Sequence, residues 1–240
     1  MDARRSGAGR RGTRPVRLNG TAARLAVVIS GRGRNLRALH AAVADGRIPA
    51  TIVAVISNRA DAEGLVFARE AGLPCVVVPH RDYPDRASFD GALADTLDGV
   101  KPDIVALAGF MRILTEGFVR AFEGRLLNIH PSLLPRHKGL HTHEAALRDG
   151  DVEHGATVHF VTPQLDGGPR VIQGKFTIGA HDDAARLAER VMMDVEQRIY
   201  PQAVAWMARG ELRFDQGVAA FRGRPLAEPL SLDDLEPGFR

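Results

Sequence analysis

The sequence predicts an α/β fold: a Rossmann-like, open and mostly parallel sheet flanked by helices, with a small antiparallel part near the C-terminus. Short β-branched runs alternate with amphipathic segments from residue 25 to about residue 130, which is the rhythm of βαβ units. A glycine turn separates the first strand from the first helix. Beyond residue 135 the alternation stops, and two successive strand-like runs indicate a different pairing.

Elements in the first half follow in regular order. Apolar runs rich in β-branched residues predict strands at residues 25–29, 51–57, 76–79 and 104–108. Segments with helical periodicity lie between them, up to residue 44, up to 71, within 84–97 and at about 116–122, and Gly72 stands at an expected helix C-cap. Because crossover helices of this size join parallel strands, these elements form the parallel part of the sheet.

The second half is less regular. A loop containing His and Gly occupies residues 136–143, and a short helix is expected near 144–149. Strands follow at 155–162 and 171–178, a long helix at about 182–208 has an expected kink at Pro201, and a small hairpin ends near 221. The sequence thus predicts one domain at 24–225, between a disordered basic tail at 1–23 and a polar tail at 226–240.

The positive charge of the chain is concentrated at its N-terminus. The net charge is +3, but residues 1–24 hold seven Arg and one Asp, about +6, which leaves residues 25–240 mildly acidic at roughly −3. No aromatic residues interleave with these arginines, and aromatics make up only 5% of the chain, which argues against a stacking platform for bases. We therefore expect no nucleic-acid partner.

Composition also restricts the location. No apolar run is long enough to span a bilayer, so no membrane association is expected. The N-terminal segment lacks the apolar stretch of a secretory signal. It is Arg-rich like an organellar transit peptide, but its glycines and its lack of an apolar face favour a cytoplasmic protein. The single Cys75 lies in an apolar run and is interpreted as a small hydrophobe rather than a nucleophile.

The predicted fifth strand, within residues 125–135, has two polar side chains at its carboxyl end. Asn128 and His130 share one face because alternate strand residues point the same way, and Pro131 ends the strand. A lone His at a strand end is usually structural, but a neighbouring buried amide without a partner would be costly. Together the two suit acyl chemistry, since an amide N–H can hold a developing oxyanion and an imidazole can donate or relay a proton.

The glycine turn at residues 30–35 is a candidate phosphate site. Its glycines let backbone N–H groups approach an anion at the positive end of the following helix. Leu36 stands where a dinucleotide fingerprint has its third Gly, and no Walker Lys is present. A phosphate without a dinucleotide is therefore the favoured ligand, and a plain tight βα turn is the alternative.

Asp166, followed by two glycines, has two interpretations of equal weight. Asp-Gly is a common turn dipeptide, and a loop carboxylate could also favour the protonated form of His130. Metal chemistry is a competing possibility because six histidines are crowded into this region, namely His130, His137, His141, His143, His154 and His159. They lack metalloenzyme spacing, and Ser30 and Ser132 lack a nucleophile-elbow setting, so neither a metal nor a serine triad is expected.

These motifs, taken in order, resemble the phosphoribosylglycinamide formyltransferases, folate-dependent enzymes of purine synthesis in the wider formyltransferase family. The resemblance runs from about residue 25 to residue 225. The motifs that carry it lie at residues 29–35, 108–114, 126–135, 139–143, 154–161, 165–169 and 199–201. The Asn-x-His pair with a later Asp is typical of the whole family, whereas the full series is specific to this branch.

The resemblance implies transfer of the formyl group of 10-formyltetrahydrofolate to the amine of glycinamide ribonucleotide, with no metal and no covalent enzyme intermediate. It implies that Asn128 and His130 stabilise the oxyanion, that His130 donates a proton, and that Asp166 keeps His130 protonated. The phosphoribosyl substrate would contact Gly33, Arg34, Asn35 and Glu196. The folate would contact Arg86, Met111, Arg112, Ile113, Leu114, Asn128, Thr162, Pro163, Gln164, Leu165 and Asp166.

Three departures from the family pattern stand out. Arg34 replaces a small polar residue of the glycine turn, Met193 replaces a polar contact, and the helix leading to Glu196 is about one residue longer than usual. Methionyl-tRNA formyltransferase, formyltetrahydrofolate hydrolase and a non-catalytic binding module are the alternatives. The first two are expected to carry an additional domain, and the third would not need His130. A monomer or a homodimer is expected.

Overall fold

The computed structural model describes residues 22–240, in which a seven-stranded sheet lies between two helical layers. The first half contains strands β1 (Ala23–Ile29), β2 (Ala50–Ser57), β3 (Cys75–Val77), β4 (Ile104–Leu107) and β5 (Leu126–His130). Helices α1 (Arg34–Ala44), α2 (Glu63–Glu70), α3 (Arg86–Val100) and α4 (Glu116–Ala121) alternate with them. All five strands pair in parallel, as predicted.

The second half completes the sheet with antiparallel strands. After α5 (Thr142–Arg148), β6 (Glu153–Phe160) runs antiparallel to β5, and β7 (Arg170–Thr177) runs antiparallel to β6. Helices α6 (Ala184–Arg190) and α7 (Gln197–Ala208) follow, and then β8 (Leu212–Asp215), β9 (Val218–Phe221) and β10 (Arg224–Pro225) form a three-stranded antiparallel sheet. The predicted fold class, a mostly parallel sheet with a small antiparallel C-terminal part, is confirmed.

The central strand β1 is buried on both faces, which explains its continuous apolar sequence. Leu25, Val27 and Ile29 pack against the layer that contains α1 and α7, whereas Ala26 and Val28 face α3 and α4. Each of these side chains is fully buried. Parallel sheets covered on both faces require such continuous apolar runs rather than alternation.

The strand order β3-β2-β1-β4-β5-β6-β7 opens a crevice beside β1. The chain moves outward from β1 through β2 to β3, and then crosses back to place β4 on the other side of β1. Ligands of open α/β sheets bind outside the carboxyl ends of the strands at this kind of reversal. The glycine turn after β1 and the polar end of β5 both lie at this edge.

The long C-terminal helix differs from the prediction of one helix with a kink at Pro201. The helix passes Pro201 and continues to Ala208, and its irregular part lies upstream, where Val191–Glu196 form a π-helical segment between α6 and α7. In a π turn the hydrogen bonds span one residue more than in an α turn, so the segment accommodates an additional residue. This position agrees with the one-residue excess that the sequence indicated before Glu196.

The two predicted tails have different outcomes. Residues 1–21 lie outside the described part of the chain, and the described chain already forms strand β1 at Ala23. The C-terminal prediction is wrong in one respect, because residues 226–240 pack against the domain rather than forming a free tail. Leu235 and Phe239 are buried, and Leu230 pairs with β7. The apolar residues of this segment are too sparse among polar neighbours to give a helical or strand period.

Candidate active site

Two adjoining cavities open at the carboxyl edge of the sheet. The glycine-turn cavity has a volume of about 930 Å³ and is lined by residues 30–35, by residues that directly follow β2 and β4, and by parts of α6 and the π segment. The loop cavity has a volume of about 700 Å³ and is lined by the segments 109–114, 128–131, 139–144 and 161–166. Six residues line both cavities: Gly109, Met111, Arg112, Ile129, Pro131 and His143.

Backbone geometry shapes the floor of the glycine-turn cavity. Gly33 precedes α1 in the left-handed conformation, with φ 72°, and no side chain caps the helix. A Cβ on Gly33 would lie 2.7 Å from the Cα of Gly64, and the Gly64 N–H donates to the Gly31 carbonyl over 2.9 Å. The first N–H groups of α1 therefore face the cavity without protein partners of their own helix, which is the geometry of an anion site.

A buried polar pair lies beside this turn. The Asn35 amide donates from Nδ2 to Glu196 Oε2 over 2.6 Å, and both residues are 5% exposed. Burial raises the pKa of Glu196 to about 7, although the Asn35 hydrogen bond and the charge of Arg34 oppose the shift. Asn35 Oδ1 has no hydrogen-bond partner among the described residues. A buried polar atom without a partner is costly, so this oxygen is available for a ligand donor.

The π segment and the end of α6 form the opposite wall of the same cavity. Arg34 forms an ion pair with Glu189 across the cavity, Nη1 to Oε2 at 2.5 Å. Met192 and Glu196 line the cavity, whereas Met193 is half exposed and lines neither cavity. The interpretation of Met193 as a substitute for a polar substrate contact is therefore not supported by its position.

The three residues expected to carry the chemistry meet at the end of β5. His130 is buried, its Nε2–H donates to the His137 carbonyl over 2.9 Å, and its Nδ1 lies 3.5 Å from Asp166 Oδ2. Both ring nitrogens therefore face oxygen acceptors. The ring is therefore held in one orientation, between the His137 carbonyl and the Asp166 carboxylate.

Asp166 has a turn conformation and also lies next to His130. Its φ of 43° lies in the left-handed region, as its turn-forming sequence suggests. Its carboxylate is also nearly buried, and Oδ2 accepts a hydrogen bond of 2.8 Å from the Gly139 N–H. This bond connects the loop at 162–166 to the loop at 139–144, so the carboxylate is held beside the His130 ring.

The described structure adds His159 to this group, a role that the sequence did not indicate. His159 Nε2 lies 3.2 Å from Asn128 Nδ2 and 3.7 Å from Asp166 Oδ1. Asn128 and His159 are direct partners across the antiparallel β5–β6 pair. The sequence placed His159 among possible metal ligands, and only knowledge of the strand register would have paired it with Asn128.

Three more of the six crowded histidines pair with nearby protein groups. His143 Nδ1 lies 2.8 Å from His154 Nε2, and burial lowers the pKa of both, that of His154 to about 4. His137 Nε2 lies 2.7 Å from Asp151 Oδ2. Within residues 22–240, no group of three or more His, Cys, Asp or Glu side chains is arranged to hold a metal ion.

The residues expected to contact folate gather at the loop cavity, with one exception. Asn128 and the two segments 111–114 and 162–166 all line it. Met111, Ile113 and Leu165 form an apolar rim and are 68%, 51% and 46% exposed. Arg86 is exposed at the start of α3 and lines neither cavity. Exposed apolar side chains around a cavity are typical of a ligand-binding site.

Both ends of the segment 109–115 are fixed by buried side chains. The Met111 N–H donates to Ser30 Oγ over 2.9 Å, and Ser30 in turn donates to Asn58 Oδ1. The Thr115 N–H donates to Asp90 Oδ2. Arg112, between these ends, stacks its guanidinium over the ring of Phe89 at 4.8 Å. The rim of the loop cavity is thus attached to the strand that carries the glycine turn.

Comparison with known proteins agrees with this arrangement. The family model described as Formyl transferase matches residues 23–204. The phosphoribosylglycinamide formyltransferase of Escherichia coli (strain K12) is 46% identical over 202 residues, which cover 84% of this chain and 95% of that protein. Within residues 22–240 of the present chain, no helix is long and apolar enough to cross a membrane.

Solved structures show the same similarity. The phosphoribosylglycinamide formyltransferase of Coxiella burnetii has a TM-score of 0.83 and 43% identity, and the match covers 87% of this chain and 98% of that chain. Glycinamide ribonucleotide transformylase 1 from Symbiobacterium toebii has a TM-score of 0.81 and 41% identity, covering 85% and 95%. The present chain belongs to the formyl transferase family.

Proposed function

We propose that this protein transfers the formyl group of 10-formyltetrahydrofolate to the amine of 5-phosphoribosylglycinamide, giving formylglycinamide ribonucleotide in de novo purine biosynthesis. The observation that carries the proposal is the meeting of two unlike cavities at the Asn128–His130 end of β5. One offers helix N–H groups and a buried polar pair, and the other has an apolar rim. The names of the relatives supply the acceptor, phosphoribosylglycinamide, and the transferred formyl group, and the family resemblance supplies the folate donor.

The phosphoribosyl substrate occupies the glycine-turn cavity in this proposal. Its phosphate binds at the backbone N–H groups of Gly33, Arg34 and Asn35, at the positive end of α1. Asn35 Oδ1 and the Glu196 carboxyl accept hydrogen bonds from the sugar hydroxyls or the glycinamide group. Arg34 also lines the cavity, where its guanidinium is paired with Glu189.

The formyl-folate occupies the loop cavity as a co-substrate. Its planar ring system packs between the segments 111–114 and 162–166, where apolar side chains form the rim. The residues shared by the two cavities bring the glycinamide amine next to the formyl carbon. Holding two reactants in contact supplies much of the acceleration in bimolecular reactions.

The reaction is direct acyl transfer. The amine nitrogen attacks the formyl carbon, and the carbonyl oxygen becomes an oxyanion that accepts hydrogen bonds from Asn128 Nδ2–H and His130. The bond from the formyl carbon to N10 of the folate then breaks. N10 gains a proton through His130 while the attacking nitrogen loses one, so protons balance over the cycle. The Asp166 carboxylate stabilises the cationic His130 ring.

A steady-state assay with both substrates tests the proposal on the wild-type protein and on Asp166→Asn. Transfer that depends on glycinamide ribonucleotide is expected for the wild type. A loss of roughly a hundredfold in kcat is expected for the variant, because the neutral amide no longer stabilises the imidazolium. Loss of the formyl group without the amine substrate would instead identify a formyltetrahydrofolate hydrolase, and absence of both reactions would contradict a formyl-folate enzyme.

A further inference from the structure

We propose that His159 is a positioning residue that determines which way the Asn128 side-chain amide faces. The proposal rests on the proposed function in one respect, namely that Asn128 donates to the oxyanion. It depends on the pairing of β5 with β6, in which Asn128 and His159 are direct cross-strand partners. Such partners have side chains on the same face and close enough for a hydrogen bond.

The first step concerns the proton on the His159 ring. Its Nδ1 lies 2.9 Å from the carbonyl oxygen of Phe160, which can only accept a hydrogen bond. Nδ1 therefore carries the proton. The ring is almost fully buried, and burial lowers its pKa to about 4, so at neutral pH it carries one proton only. Nε2 consequently has a lone pair and acts as an acceptor.

The second step concerns the Asn128 amide. An accepting Nε2 at 3.2 Å requires a donor, and the only donor of this amide is Nδ2. A flipped amide would place the Oδ1 lone pairs against the Nε2 lone pair. His159 thus takes one N–H of Asn128 and directs the NH₂ group to one side. The second N–H is then available to a ligand atom in the loop cavity, which Asn128 lines.

Asp166 shows why the tautomer matters. Its Oδ1 lies 3.7 Å from His159 Nε2, too far for a hydrogen bond but close enough to compete if that nitrogen carried a proton. A proton on Nε2 would be attracted to this carboxylate, and the lone pair that accepts from Asn128 would be lost. The Phe160 carbonyl prevents this outcome by holding the proton on Nδ1. Asp166 then remains available to the Gly139 N–H and to His130.

Two substitutions of His159 distinguish a role in orienting the Asn128 amide from a role in packing alone. The side-chain amide of His159→Gln reaches the position of Nε2 and can accept from Asn128, whereas that of His159→Asn reaches only the position of Nδ1. We expect His159→Asn to lower kcat by roughly ten- to a hundredfold, part of the effect of removing an oxyanion donor. KM for both substrates is expected to stay within about threefold, and His159→Gln should restore most of kcat. Equal losses in the two variants, or full kcat in His159→Asn, would overturn the proposal.

A measurement on the wild-type protein removes the dependence on variants that fold poorly. Long-range ¹H–¹⁵N correlation spectra of the histidine side chains report which ring nitrogen carries the proton. The Nδ1–H tautomer is expected for His159, and the Nε2–H tautomer or an imidazolium at neutral pH would contradict the proposal. If the wild type fails to transfer formyl groups, the proposed function is wrong, but the tautomer result still decides the orientation of the amide.

Discussion

The two cavities of the active site are built in different ways. The glycine-turn cavity has a floor of backbone, fixed by the left-handed Gly33 and by its contact with Gly64. The loop cavity is formed by side chains of four separate segments, and its rim is exposed and apolar. A phosphate is bound by N–H groups whose positions the main chain fixes, whereas a large planar ligand needs side chains that tertiary packing assembles. The two sites are therefore expected to respond to different substitutions.

The largest effect on kcat is expected for His130, a residue of the loop cavity to which we assign proton transfer. His130→Ala should lower kcat roughly a thousandfold, since it removes the proton donor. KM for both substrates should change little, because the walls of the two cavities remain. Steady-state kinetics with each substrate varied in turn checks this, with His181→Ala, an exposed histidine outside both cavities, as the control. A rise in KM with unchanged kcat would instead make His130 a binding residue.

The next effect concerns the glycine-turn cavity alone: Glu196 is expected to make the free energy of unfolding depend on pH. The pKa of Glu196 is about 7 in the folded protein and 4.5 in the reference state, so the folded state favours the protonated carboxyl. This contribution to stability is complete below pH 4.5 and is lost as the pH rises through 7, and it amounts to roughly 3 kcal/mol. Urea unfolding at several pH values should show this decline in the wild type and not in Glu196→Gln. The exposed Glu70→Gln, outside both cavities, serves as control, and parallel curves for wild type and Glu196→Gln would contradict the prediction.

A third substitution tests the backbone floor. Gly33→Ala places a Cβ 2.7 Å from the Gly64 Cα at a positive φ, and the strain is expected to cost about 1–3 kcal/mol. KM for the amine substrate should rise at least about tenfold, while formyl-folate binding stays near that of the wild type. Gly31→Ala is the matched control, because a Cβ there meets no atom within 4 Å. Equal effects at the two glycines would refute the assignment of the phosphate to this turn.

A fourth substitution tests the apolar rim of the loop cavity and is expected to affect the folate but not the amine substrate. Ile113→Thr exchanges part of an apolar side chain for a hydroxyl, and we expect the Kd of formyl-folate to rise by roughly fivefold, about 1 kcal/mol. KM for the amine substrate should stay unchanged. Val66→Thr is a suitable control because Val66 is similarly exposed, 53% against 51%, and lines neither cavity. Isothermal titration with the folate measures the effect, and equal Kd values in both variants would exclude the rim from binding.

The smallest effect is expected at Arg86. The family resemblance implies a folate contact, but the side chain is exposed and lies outside both cavities. Arg86→Ala should therefore change KM for formyl-folate by no more than about twofold. A tenfold rise would show that the start of α3 reaches the bound folate after all.

Local features of the sequence were sufficient for the parallel half of the fold. The β-branched runs and the glycine turn encode β1, α1 and the candidate phosphate-binding turn within a few residues of each other, so their period and spacing reveal them. The position of Asn128 and His130 on one strand end also followed from the two-residue period. These predictions require no knowledge of which distant segments meet.

Features that depend on distant contacts were not visible. His159 is 31 residues from Asn128, and the two meet only because β6 reverses direction beside β5. The π segment before Glu196 has the composition of an ordinary helix, so the kink was assigned to Pro201 instead. Arg86 was carried over from the family resemblance, which does not state where a long side chain lies. The missed features all depend on register or helix geometry rather than on residue type.

The C-terminal segment, residues 226–240, affects whether copies of this protein can associate through the edge of the large sheet. β7 is the outermost strand of the large sheet, and Leu230 pairs with its free edge: the Leu230 N–H donates to the Val171 carbonyl and the Gln173 N–H donates to the Leu230 carbonyl. An uncovered edge strand is a template for another chain. A chain that ends at residue 225 is therefore expected to keep both cavities but to associate edge to edge as its concentration rises. The final fifteen residues, 226–240, thus cover the edge of the large sheet and lie outside both cavities.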